Sequence, residues 1–238
     1  MLTVRNLVVH RGGKGVLHGI DLDVPPGQIT ALVGANGAGK SSTVMAIAGA
    51  IPVLSGTIEA DGKPLHPGRP EWVRAAGVAV VPEGHRVLGD LSVLDNLRVA
   101  ASGLAAPAVA KAVDRVLRVF PELHAKLDTP GRSLSGGQKQ MVSIAQALVA
   151  QPRYLVVDEL SLGLAPTIVK RLTDVVKDAA ASGVGVLLIE QFTSLALSVS
   201  NLAFVLERGR IAFSGTADEL SEKPEILHSS YLASKAAV

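Results

Sequence analysis

The chain contains no cysteine. That absence removes disulfides, thiolate zinc sites and thiol nucleophiles together, and it is consistent with a reducing, cytosolic setting. Blocks of charge of one sign are also missing. Twenty-three lysines and arginines against 21 aspartates and glutamates leave a formal net charge of +2, which argues against wholesale nucleic-acid binding. Long apolar runs are lacking too, although hydrophobic residues make up 48 % of the chain. The run over 184–189 has the length of a strand and falls far short of the ~20 residues that span a bilayer. The opening Met1-Leu-Thr-Val-Arg-Asn enters a strand-like pattern at once, so no secretory signal is expected. No internal repeat or low-complexity linker interrupts the 238 residues, a length that suits one domain with lobes.

What the chain does have is concentrated first in residues 29–42, Ile-Thr-Ala-Leu-Val-Gly-Ala-Asn-Gly-Ala-Gly-Lys-Ser-Ser. An apolar strand runs into Gly34, Gly37 and Gly39, and a helix is expected to open at Thr43. Gly34, Gly39, Lys40 and Ser41 meet the pattern G-x-x-x-x-G-K-[ST] in the strand-loop-helix setting that a P-loop requires. Backbone N–H groups must turn inward around phosphate oxygens, which demands glycine where a Cβ would block the turn. The following helix aims its positive end at the same anion. Gly34, Asn36, Gly37, Ala38, Gly39, Lys40, Ser41 and Ser42 are therefore candidate ATP-binding residues, with Lys40 on the β- and γ-phosphates and Ser41 on Mg²⁺.

Around this stretch the chain changes character several times. Residues 2–9 and 17–24 read as two strands with Arg11-Gly-Gly between them, and 57–60 as another before an Asp61-Gly62 hairpin turn. Residues 77–81 read as a buried strand closed by Pro82. From Ser92 to about 150 the pattern is helical, with Ser92 and Ser135 as N-caps and Pro121 ending a helix over 108–119. Thereafter strands at 154–157, 184–189 and 202–206 alternate with helices from Pro166 and Thr193, which predicts an α/β fold with a mostly parallel sheet. Glu207-Arg-Gly-Arg reads as a late hairpin turn, and the tail after Tyr231 is expected to fray.

Two further motifs carry chemistry. Tyr154-Leu-Val-Val-Asp-Glu159 is an apolar strand that delivers two carboxylates at its end. After a P-loop, Asp158 is the candidate to hold Mg²⁺ or its waters and Glu159 the candidate general base for an attacking water. The second is Leu134-Ser-Gly-Gly-Gln138. With it, the order P-loop, helical lobe, LSGGQ, acidic strand end and switch region resembles the nucleotide-binding subunit of an ABC transporter over nearly the whole chain. The resemblance implies a single ATPase domain over 1–238: a RecA-like P-loop core, a small antiparallel β subdomain and a helical subdomain at about 84–150. It implies ATP and Mg²⁺, and it implies that Ser135, Gly136, Gly137 and Gln138 bind the γ-phosphate held by an opposite subunit in a head-to-tail dimer. The anion logic of the P-loop explains such a role.

Measured against that family, three positions depart from the commonest pattern, and the resemblance assigns each a role. Glu83, in Val-Pro-Glu-Gly-His-Arg, stands where glutamine is usual; a carboxylate is the stronger Mg²⁺ ligand. Gln191 follows Glu190 where a histidine is usual; it can donate to the γ-phosphate but cannot become cationic. The usual adenine-stacking aromatic is missing, leaving Arg11 as the candidate platform and His10 behind it. The Pro-Glu-Gly loop, the Glu-Gln switch and Ser161-Leu-Gly-Leu-Ala-Pro166 together resemble the LivF-like ATPases of branched-chain amino acid importers. Even there, Leu160 departs, since proline usually follows the catalytic glutamate.

This reading implies a cytoplasmic subunit, peripheral on the inner face of the membrane. Its partners are a second ATPase subunit (identical or related), transmembrane permease subunits and, indirectly, a solute-binding protein. Val87, Leu88 and Leu91 are expected either to meet a permease helix or to belong to the lobe core. The alternatives are a weakly hydrolytic regulatory half of an asymmetric dimer, and a urea or amide importer ATPase. A repair or translation ATPase fits this length poorly. Trp72 is expected to be a partly buried packing residue, and Arg69 and Arg74 a solvated rim.

Overall fold

A computed structural model describes residues 1–84 and 86–227. The chain opens with β1 (Leu2–Arg11) and β2 (Lys14–Val24), both longer than the apolar pattern predicts. The reason is the turn. Gly12 and Gly13 sit at φ 56° and 78°, a two-residue loop whose twist matches that of the strands and lets pairing run to Arg11 opposite Lys14. β3 (Ile29–Val33) leads into the P-loop and α1 (Lys40–Ile47). The helix starts at Lys40 rather than Thr43, because the left-handed Gly39 at φ 114° turns the chain into it early.

β4 (Ser55–Ala60) and β5 (Lys63–Pro64) follow, joined through Asp61 and Gly62 at φ 49° and 73° as expected. These four strands form an antiparallel sheet in the order β2-β1-β4-β5. A six-residue helix that the pattern did not suggest, α2 (Pro70–Ala75), precedes β6 (Val78–Val81).

The helical segment comprises α3 (Val93–Ala100), α4 (Ala106–Val119), two short 3-10 turns (Pro121–Lys126 and Gly131–Ser133) and α5 (Gly136–Val149). Ser92 caps α3 by accepting the Asp95 N–H at 3.1 Å. Leu97, Val113, Val116, Phe120 and Ile144 interlock as the apolar interior of this lobe.

The chain ends in alternation: β7 (Tyr154–Asp158), α6 (Pro166–Ala181), β8 (Gly185–Glu190), α7 (Thr193–Val199), β9 (Leu202–Glu207), β10 (Arg210–Thr216) and α8 (Ala217–Ser221). β8 lies one residue later than the apolar run suggests, so that Glu190 is its last residue. The tail after Tyr231 lies outside the described residues.

The second sheet has six strands in the order β10-β9-β3-β8-β7-β6. All neighbours from β9 to β6 are parallel; β10 is antiparallel. Every residue of β3, β7 and β8 is buried, as in a sheet covered on both faces. Alternate side chains serve different cores. Leu155, Val157, Val186 and Leu188 pack with α5, α6 and the helical lobe, whereas Leu32, Val156, Leu187 and Ile189 pack with α1 and the first sheet. Each fully buried leucine or valine contributes about 1.5–3 kcal/mol, so the central strands hold the loops at their ends to a fixed frame. Among the described residues no helix is long and apolar enough to cross a membrane.

Candidate active site

The parallel order dictates where the candidate residues meet. β3, β8, β7 and β6 are consecutive neighbours pointing the same way. Their C-terminal ends therefore deliver, side by side, the P-loop, Gln191, the Asp158–Glu159 pair and Glu83. Ligand crevices form at such strand ends. An open cleft of about 560 Å³ lies there, lined by Arg11, Asn36, Gly37, Gly39, Lys40, Ser41 and Ser42 with Glu83, Glu159 and Gln191. Asn36 and Gln191, 155 positions apart in sequence, line one cleft because β3 and β8 are paired, Val33 opposite Glu190.

The loop between β3 and α1 is shaped by what glycine permits. A Cβ on Gly34 would stand 2.2 Å from the Leu206 carbonyl oxygen, and one on Gly39 would stand 2.7 Å from a Leu17 methyl. Gly34, Gly37 and Gly39 all have positive φ, of 155°, 79° and 114°. Ala38 is buried beside them and Asn36 is exposed. Lys40 is 6 % exposed, and its Nζ donates to the carbonyl oxygens of Gly34 at 2.7 Å and Ala35 at 3.1 Å. Its ammonium thus lies across the base of the loop. Burial lowers its pKa, and the fields of Glu159, Asp158, Glu190 and Glu83 oppose that shift.

The two adjacent acids differ in setting. Asp158 ends β7 and is 5 % exposed. Burial, reinforced by the charges of Glu159 and Glu83, raises its pKa to about 6, against the pull of Lys40. Glu159 has a left-handed backbone, φ 55°, and only partly buried surface; desolvation and Glu83 raise its pKa as well. Ser41 and Glu83 are exposed on the cleft wall. Among the described residues no three acidic or histidine side chains converge as a self-contained metal cage. A hydroxyl and a carboxylate supplemented by substrate phosphates is the donor set that suits Mg²⁺, and Ser41 with Asp158 or Glu83 fits it.

Arg11 and His10 separate cleanly. Arg11 lines the cleft beside Val16; His10, one position earlier on β1, does not. Trp72, expected to be partly buried, is instead 54 % exposed and meets His66 edge-on at 5.2 Å, because α2 places it on the outer surface away from the cleft.

Ser135, Gly136, Gly137 and Gln138 are not brought to the cleft; they open α5. Ser135 Oγ accepts the Gln138 N–H at 3.3 Å and Gln138 Oε1 accepts the Ser135 N–H at 3.0 Å, a reciprocal cap. That cap takes up the Gln138 N–H and leaves the Gly136 and Gly137 N–H groups without a partner inside the helix, with Ser135 and Gly136 exposed. Gly137 has a packing role besides: a Cβ there would press on Ile168 at 3.1 Å.

The family described as "ABC transporter" matches residues 17–161, more than half of the chain and a stretch that runs from β2 through the P-loop and LSGGQ to Ser161. The chain belongs to the ABC transporter family. It is an ATPase subunit of that family. Two relatives span almost its whole length. It is 35 % identical over 226 residues to the high-affinity branched-chain amino acid transport ATP-binding protein BraG of Pseudomonas aeruginosa, covering 95 % of this chain and 97 % of that one. It is 36 % identical over 208 residues to a probable branched-chain amino acid transport ATP-binding protein LivF of Archaeoglobus fulgidus, covering 87 % and 88 %. A solved structure described as the ATP binding subunit of an ABC transporter superposes with a TM-score of 0.84 at 29 % identity, over 97 % and 95 % of the two chains. The α/β P-loop fold with its mostly parallel sheet is that of these ABC cassettes.

Two buried residues outside the cleft support the elements that form it. Asn96 is fully buried and ties the segment after Glu83 to α3. Its Oδ1 accepts the Leu88 N–H at 2.8 Å, and its Nδ2 donates to the Leu88, Leu91 and Ser92 carbonyls at 3.0, 3.2 and 2.9 Å. Glu190, 1 % exposed, is the other. Its one signal in sequence is a charge closing an otherwise apolar strand.

Proposed function

We propose that residues 1–238 form one cassette that hydrolyses ATP to drive an importer of branched-chain or other hydrophobic amino acids. The observation that carries the site assignment is the gathering of Lys40, Glu83, Glu159 and Gln191 around one cleft while LSGGQ lies elsewhere on the same chain. The transported class rests on the two relatives whose names state branched-chain amino acid transport.

In this reading the P-loop amides and Lys40 bind the phosphates, and Arg11 lies flat on the base. Ser41 and Asp158 hold Mg²⁺, with Glu83 beside them; the ion, when bound, neutralises charge on the phosphate oxygens. Glu159 accepts the proton of the attacking water, and Gln191 donates to the γ-phosphate. Ser135, Gly136, Gly137 and Gln138 of one cassette close on the ATP of a second cassette, another copy or a related subunit. The exposed first turn of α5 and its distance from the cleft of its own chain support that pairing.

Closure would be passed to permease subunits on the inner face of the membrane, with a solute-binding protein acting on their far side. A groove of about 450 Å³ between core and helical lobe suits the permease: Val80, Pro82, Arg86, Leu88, Val99 and Gln146 line it. Leu88 and Val99 are 46 % and 47 % exposed, whereas Val87 packs into the lobe core. Of Val87, Leu88 and Leu91, the packing of Val87 supports a core role and the exposure of Leu88 supports a permease contact, with Leu91 intermediate.

The test is Mg²⁺-dependent ATP hydrolysis by the purified chain over a wide range of protein concentration, with Glu159→Gln alongside. The wild type should show specific activity that rises with concentration. E159Q should bind ATP normally and turn over at least ~100-fold more slowly. An E159Q rate equal to wild type removes Glu159 from the mechanism. Stimulation of the permease-bound complex by leucine, isoleucine or valine tests the transported class.

A further inference from the structure

Glu190 carries an ionisable carboxylate at a position where the rest of β8 is apolar and buried. Enclosing such a group is costly unless donors surround it. Ser161 supplies two: Glu190 Oε1 accepts its backbone N–H at 3.0 Å and Oε2 accepts its hydroxyl at 3.0 Å. The backbone N–H of Phe192 also favours the charged form of the same carboxylate. These donors belong to two different loops. Ser161 lies two residues beyond Glu159, in the loop between β7 and α6; Phe192 lies one residue beyond Gln191, at the start of α7.

The loop that carries Glu159 needs holding. A non-glycine residue in the left-handed region costs about 1–3 kcal/mol and persists only where its surroundings impose it. Glu159 is fixed on one side by its N–H bond to the Ile189 carbonyl, at 2.9 Å. On the other side Leu160 packs into the core, and the residue after it, Ser161, makes the polar tie across the strand ends to Glu190. Gln191, for its part, directly follows Glu190, so the bonds that hold the carboxylate to Ser161 also fix the residue on which the Gln191 turn begins. One buried side chain therefore fixes both turns.

We propose that Glu190 is a positioning residue for hydrolysis, one carboxylate that holds the Glu159 loop and the Gln191 turn in mutual register. The inference rests on the reading of Glu159 as the general base. Glu190 lines no part of the cleft and touches no substrate; it acts through its neighbours. The hydrogen-bonding shape of the group, and not its charge, does the positioning. A glutamine can reproduce it, with its carbonyl oxygen accepting from the Ser161 N–H and its amide donating to the Ser161 hydroxyl oxygen.

The experiment uses the full chain in the assembly that hydrolyses ATP, and compares Glu190→Ala, Glu190→Gln, Ser161→Ala and Glu159→Gln by kcat, KM, nucleotide affinity and thermal unfolding. E190A should lose ~10–100-fold in kcat while its folded fraction binds ATP within about twofold of wild type, since misplacement of a reacting group costs rate rather than affinity. E190Q should recover most of that loss, and S161A, which keeps the backbone bond, should lose about 3–10-fold in kcat with KM unchanged. A wild-type kcat in folded E190A overturns the proposal. If E190A does not fold, a wild-type kcat in S161A overturns it. E159Q separates the two readings: inactive E159Q beside fully active E190A and S161A sinks the positioning role alone, whereas active E159Q sinks the assignment of the base.

Discussion

Asp158 and Glu159 are consecutive, yet the left-handed backbone at Glu159 turns their carboxylates into opposite settings: the first is 5 % exposed at the strand end and the second stands on the cleft wall. An enclosed carboxylate beside Lys40 suits a metal, and a half-exposed one with a raised pKa suits a base. In the proposed mechanism these two settings, imposed by the backbone turn at the end of β7, would divide the metal and base roles between the acids.

The enclosed acid makes stability pH-dependent in a defined direction. Asp158 titrates at about 6 in the folded chain against an ordinary 3.8, so between those values the folded state holds more protons than the unfolded state. Stability therefore falls as pH rises through that window. Two pH units correspond to about 3 kcal/mol at most; the shifts at Glu159 and Glu190 have the same direction. In the absence of nucleotide and metal, the chain should resist urea better near pH 5 than near pH 8, and Asp158→Asn should flatten that slope. D158N should be the more stable protein at pH 8 and indistinguishable near pH 4. Urea midpoints at four or five pH values check both signs, and a wild-type slope in D158N contradicts the assignment.

A second prediction concerns the segment that carries Leu88 to the groove. Asn96 uses both ends of its amide on the 88–92 segment and also accepts from Gln146 Nε2 at 3.1 Å. Asn96→Ala leaves the Leu88 N–H unpaired, at about 1–3 kcal/mol for an orphaned buried group, and takes one donor from each of three carbonyls that keep backbone N–H partners from Leu91, Gly131 and position 96, at about 0.5–1.5 kcal/mol per bond lost. N96A should unfold at lower denaturant by about 2–4 kcal/mol in total. Its amide exchange should quicken first at Leu88 and Leu91. The permease-coupled rate should fall more than the uncoupled ATPase rate, because Leu88 lines the groove and not the nucleotide cleft.

Much of this site is legible in sequence because its chemistry demands particular backbones. Inward N–H groups require glycine at Gly34, Gly37 and Gly39, a cap at Ser135 requires the serine, and the acid pair must follow an apolar strand, so contiguous letters suffice. The hairpin turns at Asp61-Gly62 and Arg208-Gly209 were readable for the same reason, each pair having positive φ. What remained hidden is long-range. Asn96 looks like any polar residue of a helix until four partners from other turns enclose it, and Glu190 is one charge at a strand end whose donors lie 29 residues earlier and two residues later. Arg11, preferred to His10 on its chemistry, is the one of the two that lines the cleft. α2 was missed because six residues opened by a proline carry too little periodicity to register.

The last prediction tests the separation of LSGGQ from its own cleft. Two copies of the chain are expected to pair head to tail, so that a complete site draws its P-loop from one copy and its Ser135 from the other. Lys40→Ala and Ser135→Arg should each be nearly inactive alone, the first for want of phosphate binding and the second because a bulky cation replaces the cap that faces the γ-phosphate. Mixed in equal amounts, they form dimers in which one site joins the wild-type P-loop of the S135R copy to the wild-type signature of the K40A copy. With random pairing, about half the dimers are mixed and each holds one intact site of two, so the mixture should reach up to about a quarter of wild-type activity. ATP hydrolysis by the mixture, set against the sum of the separate variants, measures this directly. A mixture no better than that sum means that copies of this chain do not complete one another, and that the cleft takes its signature from a different subunit.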